Sequence, residues 1–198
     1  RIAAEGARRY NEAIYRDCGI DNLISVITEP TLETADQIFR HRGIALLGVT
    51  GGPGVAMAAM KQAKRAMVAG PGNPPVVVDE TADLDRAAKS IIRGAAYDNN
   101  LLCIAEKQVF VVDRVFDAMM AAMERAGAVR LNAIEIDALT RAAIIPPSEK
   151  TGGHAVANRE YVGRDAAVLA RVAGKTIPEK TELVFGETDE SNLFVPAE

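Results

Sequence analysis

Ile44-Ala-Leu-Leu-Gly-Val-Thr-Gly-Gly-Pro-Gly-Val55 is the stretch on which the fold turns. Its first six residues are apolar throughout, short, and closed off by glycine, which is how a buried parallel strand reads. The turn that follows, Thr50-Gly-Gly-Pro-Gly54, leads into a helix expected from about Val55 to Ala63. Such a turn lets a phosphate or ribose reach the backbone, and the positive end of the helix dipole favours an anion there. The spacing is not GxGxxG, and the Lys-Ser/Thr of a P-loop is missing. By itself the stretch reads equally well as a tight strand-to-helix turn.

On either side the order continues. A helix is expected from about Glu5 to Asp17, ended by Gly19, then a strand over Leu23–Thr28, a helix opened by Pro30 and Thr31 and running to about His41, and, past the glycine-rich turn, a short strand near Ala66–Ala69. This β-α-β-α alternation predicts an α/β fold with a parallel sheet. Gly70-Pro-Gly-Asn-Pro-Pro75 then interrupts the chain, because it can continue neither a helix nor a central strand, and a domain boundary is placed there. Beyond it, strands are expected at Val76–Val78, Gln108–Val112 and Leu183–Phe185. Helices are expected from a Thr81 or Asp83 cap to about Tyr97, over Val115–Ala126, over Ile134–Ala143 (stopped by Pro146-Pro147) and over Asp165–Ala173. The stretch from Ser148 to Arg159 reads as loop.

Composition limits the function. At 48% hydrophobic and 25% charged, the 198 residues have the make-up of an ordinary globular protein. A net charge of −4, no long Lys/Arg run and 5% aromatic residues argue against nucleic acid as a partner. No apolar stretch approaches the roughly 20 residues of a membrane span, and none reads as a signal peptide. Cys18, Cys103, His41 and His154 are too scattered for a four-ligand zinc site, so no metal is expected, and both cysteines are read as free thiols in a reducing cytosol.

Cys103 falls between a helix and a strand in Tyr97-Asp-Asn-Asn-Leu-Leu-Cys-Ile-Ala-Glu-Lys107, with Lys107 placed to favour its thiolate. A lone cysteine more often serves as a small buried hydrophobe, and no local base accompanies this one. Cys18, at a helix end, is expected to be structural in that sense. His41 and His154 are expected at the surface. From Gln37 to Val78 there is no Asp or Glu at all, so this region tolerates an anion and holds no carboxylate base.

Taken together and in order, Thr50-Gly-Gly-Pro-Gly-Val55, Ala69-Gly-Pro-Gly-Asn-Pro-Pro75, Val78-Asp-Glu-Thr-Ala-Asp-Leu-Asp85, the Cys103 segment and Tyr161-Val-Gly-Arg-Asp165 resemble the CoA-acylating aldehyde dehydrogenases, above all the propionaldehyde and acetaldehyde dehydrogenases of bacterial microcompartments. The resemblance runs from about Asp21 to Phe185. It implies an aldehyde dehydrogenase-like α/β fold in which residues 1–72 are the later part of a Rossmann-like NAD-binding domain and residues 73–198 the first part of an α/β catalytic domain. The chain is then expected to be a fragment, lacking among other parts the asparagine of the oxyanion site. The implied nucleophile is Cys103. Thr50, Gly51, Gly52 and Val55 would lie against the phosphate and ribose of the cofactor, and Gly70, Pro71 and Gly72 would border the nicotinamide. NAD and coenzyme A are the implied cofactor and co-substrate, and a small aldehyde the substrate. A homo-oligomer of the full-length protein, a microcompartment shell as partner, and a cytoplasmic or microcompartment-lumen location follow in the same way. Hydrolytic relatives keep a glutamate near the loop matching Ala69–Pro74 to activate water, and this sequence has none there, which favours the acylating branch. The alternatives are a hydrolytic aldehyde dehydrogenase and an inactive fragment that serves as a binding or assembly module.

Overall fold

The computed structural model describes residues 2–70, 72–151 and 153–197. The chain forms two compact units, Arg1–Gly70 and Pro71–Glu198.

The first unit begins with α1 (Ile2–Cys18), whose exposed face is laced by Glu5 with Arg8 and Arg9 and by Arg8 with Glu12. Gly19, at φ 67°, ends it, its N–H donating to the Tyr15 carbonyl at 2.9 Å. That left-handed stop suits glycine, which has no Cβ to clash there. Thr31 caps α2 (Leu32–Arg40) through a reciprocal box with Thr34. The strand β1 (Leu46–Thr50) then pairs in parallel with β2 (Arg65–Ala69), and α3 (Pro53–Met60) makes the crossover. Leu47, Val49 and Ala59 form the core, with Phe39, Ile44, Ala66 and Val68 packed on it.

Two expectations fail in this unit. The apolar run reads as a strand covered on both faces, yet β1 alternates: Leu47 is 3% exposed and Leu46 48%. A two-stranded sheet covered on one side buries alternate residues only. The expected strand at Leu23–Thr28 is irregular chain. It has no strand partner among the described residues. Instead the Asn11 side chain holds it, with Asn11 Nδ2 donating to the Ile24 carbonyl at 2.7 Å and the Ile24 N–H donating to Asn11 Oδ1 at 2.9 Å. A single amide thus satisfies the backbone groups that a neighbouring strand would take.

In the second unit β3 (Pro75–Val78) pairs in parallel with β4 (Gln108–Val111), joined by α4 (Leu84–Ala95). Asp83 caps α4 by accepting from the Arg86 N–H at 3.1 Å. Ala88, Ile91, Ile92 and Ala95 give α4 one apolar face at i, i+3, i+4, i+7 spacing. That face packs with Val78 and with Met119, Met120 and Met123 of α5 (Phe116–Arg125).

Farther on, β5 (Val129–Leu131) leads through the Asn132 capping box into α6 (Ala133–Ala143). The short β6 (Ile144–Ile145) pairs antiparallel with β7 (Val156–Ala157), α7 (Ala166–Val172) follows, and β8 (Val184–Gly186) returns parallel to β5. Lys175 Nζ donates to the Arg130 carbonyl at 2.7 Å and to Glu135 at 3.1 Å, fixing the corner between β5 and α6. β5, β6 and β7 go unseen in the sequence, being two or three residues long and carrying no alternation that could be read. The expected loop at Ser148–Arg159 therefore contains a strand.

Candidate active site

Cys103 sits on the connection between α4 and β4, and its geometry follows from the asparagines before it. Asp98, Asn99 and Asn100 all adopt left-handed backbone, with φ of 50°, 50° and 61°. Asn and Asp accept that region better than other side chains, so the run Asp98-Asn-Asn allows the chain to leave α4 sharply and loop outward. Each asparagine then ties the loop down. Asn100 Nδ2 donates to the Ala95 carbonyl at 2.7 Å and to the Glu106 carbonyl at 3.0 Å, joining the end of the helix to the start of the strand. Asn99 Nδ2 donates to Asp165 Oδ1 at 2.8 Å and to the Gly163 carbonyl at 3.1 Å. Gly163 has φ 71°, and a Cβ there would press on the Leu101 side chain at 3.1 Å. The Tyr161–Asp165 segment is therefore a buttress for the Cys103 loop.

At the apex Cys103 is exposed and unpaired, while Ala105, two residues on, is buried and anchors the loop. Gly72 packs against the Cys103 main chain, where a Cβ would overlap the Cys103 carbonyl oxygen and stand 3.0 Å from both its carbonyl carbon and its Cβ. The residues after Gly72 are pinned: Asn73 Nδ2 and Gln108 Nε2 both donate to the Val195 carbonyl, at 3.0 and 2.9 Å, and the Lys107 N–H donates to the Pro74 carbonyl at 3.1 Å. Asn73 Oδ1 is buried without a hydrogen-bond partner.

Charge at the loop comes from Lys107 and Glu106. Lys107 Nζ bonds to Asn100 Oδ1 and lies 3.4–3.5 Å from the carbonyl oxygens of Asn100, Leu102 and Ala105. Burial holds the Lys107 ammonium below the usual lysine range, with the neighbouring Cys103 and Glu106 pulling the other way. The Glu106 carboxylate packs on the backbone of α4, where a Cβ on Gly94 would stand 2.6 Å from its Cδ.

In the first unit Thr50, Gly51, Gly52, Val55 and Gly70 gather at one edge. Thr50 and Ala69 are register partners at the carboxyl ends of β1 and β2, and the Gly51 N–H donates to the Ala69 carbonyl at 3.2 Å. Gly52 caps α3 without any side-chain hydrogen bond, and a Cβ built on Gly52 or Gly70 would meet open space. The Val55 side chain borders Gly51. The carboxyl edge of parallel strands, with an uncovered helix start and no carboxylate from Gln37 to Val78, fits a dinucleotide's phosphate and ribose. Thus the structure gathers five of the expected cofactor residues in one unit and Gly72 with Cys103 in the other. Pro71 lies outside the described residues.

Cys18 departs from expectation. It is exposed, with its thiol 3.4 Å from Asp17 Oδ2, because no part of α1 is buried and a helix end on that face offers no pocket. His41 and His154 are exposed as expected. The sequence reading missed Asn99, Asn100, Gly94 and Gly163. The three consecutive left-handed-tolerant residues Asp98, Asn99 and Asn100 were the one available signal, and only for the two asparagines. Among the described residues no group of His, Cys, Asp and Glu could hold a metal ion, and no helix is long and apolar enough to cross a membrane.

An exposed cysteine on a loop between helix and strand, beside a glycine backbone, suits a cysteine nucleophile on an α/β fold. The aldehyde dehydrogenase family model matches residues 12–170, and the chain belongs to that family. It is 44% identical, over its whole length, to the acetylating acetaldehyde dehydrogenase of Salmonella typhimurium, of which it spans 42%. The propionaldehyde dehydrogenase of the Clostridium phytofermentans fucose-utilisation microcompartment superposes with a TM-score of 0.84 at 34% identity, over 98% of this chain and 44% of that one. A Rhodopseudomonas palustris propionaldehyde dehydrogenase, solved with bound CoA and an acylated cysteine, superposes with a TM-score of 0.75 at 29% identity, over 89% of this chain and 39% of that one. The chain therefore spans less than half the length of these relatives.

Proposed function

We propose that the chain carries the nucleophile and part of the dinucleotide surface of a CoA-acylating aldehyde dehydrogenase, which oxidises a short-chain aldehyde to acyl-CoA with NAD+ and CoA. In this reading residues 1–72 belong to the NAD-binding domain and residues 73–198 to the catalytic domain. The observation that carries it is the exposed Cys103 thiol, presented on a loop braced by Asn99, Asn100 and Gly72.

The Cys103 thiolate attacks the aldehyde carbonyl carbon and forms a thiohemiacetal. A nicotinamide dinucleotide, when bound, supplies the hydride acceptor. Departure of the hydride and the hydroxyl proton leaves a thioester on Cys103. The CoA thiol, losing its own proton, then attacks the thioester carbonyl and displaces the Cys103 sulfur, giving acyl-CoA. Thr50, Gly51, Gly52 and Val55 would hold the dinucleotide's phosphate and ribose on a small, uncharged surface, and Gly70, Pro71 and Gly72 would border its nicotinamide. The carboxylate-free stretch from Gln37 to Val78 offers no acid to recruit water, and Glu106 is turned onto α4, so the thioester is kept for a thiol acceptor. The solved relative with bound CoA and an acylated cysteine supports this sequence of steps. The relatives' names also support a small aldehyde substrate and a microcompartment lumen as location; a homo-oligomeric full-length enzyme, a cytoplasmic location and the shell as partner rest on the family resemblance alone.

The test is product analysis on the full-length protein with NAD+ and short aldehydes, with and without CoA. Acyl-CoA formation that Cys103→Ala abolishes is the expected result. Acyl-CoA made by Cys103→Ala at the original rate, or free acid as the product in the presence of CoA, overturns the proposal.

A further inference from the structure

We propose that Lys107 is a positioning residue for the nucleophile: its ammonium sits inside the Cys103 loop, caged by the loop's own oxygens, and from there it both shapes the loop and favours the Cys103 thiolate. The inference rests on the reading of Cys103 as the nucleophile and assigns a further residue to that site.

The cage is the carrying observation. Lys107 Nζ bonds to Asn100 Oδ1 and has the carbonyls of Asn100, Leu102 and Ala105 around it at 3.4–3.5 Å. One of these, the Leu102 carbonyl, immediately precedes Cys103 in the chain. Three are long for hydrogen bonds, but an ammonium is a compact point charge that attracts carbonyl oxygens from several sides at once. Asn100 is shared by two functions, because its Oδ1 takes the ammonium while its Nδ2 closes the ends of the loop on Ala95 and Glu106. Without the cation, carbonyl dipoles would converge on an empty centre and repel one another. The loop is therefore wrapped around a positive charge, and Cys103 is carried on that same loop.

The charged side chains of the loop are Asp98, Lys107 itself and Glu106, whose carboxylate packs on Gly94 of α4, with Asp165, held by Asn99, beside them. Lys107 is the cation among them, and a neighbouring cation stabilises a thiolate while carboxylates oppose it. The depressed basicity of Lys107, countered by Cys103 and Glu106, agrees with an ammonium that has given up some solvent to occupy this place.

Alkylation by iodoacetamide, followed peptide by peptide by mass spectrometry across pH, tests the inference on the full-length protein. Cys18 is exposed and far along the sequence, so it serves as the internal reference thiol. In Lys107→Met the Cys103 alkylation profile should move to higher pH, lowering its rate at neutral pH several-fold, while the Cys18 profile stays where it was. Lys107→Gln, which keeps an amide donor for the carbonyls and removes the charge, should move the Cys103 profile the same way, and Lys107→Arg should return it towards the original. If Met disrupts folding, the Gln and Arg pair decides. An unchanged Cys103 profile in Lys107→Gln, with Cys103→Ala inactive in acyl-CoA formation, overturns the role of Lys107 and leaves the proposed function standing. Acyl-CoA formation surviving in Cys103→Ala removes the proposed function instead.

Discussion

Gly72 and Cys103 lie back to back, so closely that a Cβ on Gly72 would overlap the Cys103 carbonyl oxygen. The clash is with backbone, which cannot swing aside as the end of a flexible side chain can. Gly72→Ala should therefore displace the nucleophile. Because a misplacement of about 1 Å can cost roughly 100-fold in rate, kcat/KM for the aldehyde should fall about 10- to 100-fold with little change in thermal midpoint. Steady-state kinetics beside a melting curve checks this.

Asn100 combines backbone geometry with hydrogen bonding, and two substitutions separate these roles. Asn100→Gly keeps access to φ 61° but loses the bonds to Ala95 and Glu106; Asn100→Ala loses both. Leaving buried partners unsatisfied costs about 1–3 kcal/mol, and the left-handed backbone adds about 1 kcal/mol for alanine. Denaturant midpoints should fall in the order wild type, Asn100→Gly, Asn100→Ala.

Gly52 faces open space at φ −66°, so Gly52→Val leaves the fold alone while placing a side chain on the edge assigned to the cofactor. The KM for NAD+ should rise about tenfold, equivalent to about 1.4 kcal/mol, and the unfolding midpoint should hold. A KM equal to wild type would remove Gly52 from the cofactor surface.

Met119 is fully buried between α4 and α5. Truncation to alanine leaves a cavity and should cost about 2–5 kcal/mol, measured by urea unfolding. The Cys103 alkylation profile of the folded fraction should be preserved, since Met119 takes no part in the loop.

Glu5 accepts from Arg8 and Arg9, and these bonds pull its carboxyl from an ordinary 4.5 to about 2. A carboxyl depressed in the folded state stabilises above its unfolded value and loses that contribution as pH falls through the folded one. The helicity of α1 should thus decline between about pH 4.5 and pH 2. Circular dichroism should show Glu5→Gln already lacking this dependence at low salt, and the effect should shrink at high salt because Glu5, Arg8 and Arg9 are solvent-exposed.

Much of the fold was legible where a segment carried its own period. The stripe Ala88, Ile91, Ile92, Ala95 and the caps Thr31 and Asp83 are local devices, and the helices stand close to where they were expected. β1 was legible as a strand but not as half-covered, because coverage depends on what packs on it. Leu23–Thr28 misled for the same reason: its apolar run has a strand's composition, and only the distant Asn11 decided its state. At the candidate site, the position of Cys103 between a helix and a strand was legible from the segments on either side of it. Its supports were less so, since contacts such as Asn99 with Asp165 and Gly72 with Cys103 join positions that no local pattern connects.

The Val195 carbonyl, gripped by Asn73 and Gln108, has a consequence for biosynthesis. A ribosome releases the chain from its first residue at about 5–20 residues per second, so the cysteine loop emerges several seconds before the carbonyl that steadies its flanks. Until then the two amides have only water to hold. Final setting of the reactive thiol is thereby deferred until the stretch around Val195 has left the exit tunnel, and nascent chains arrested short of that point should carry a Cys103 with looser, less selective chemistry.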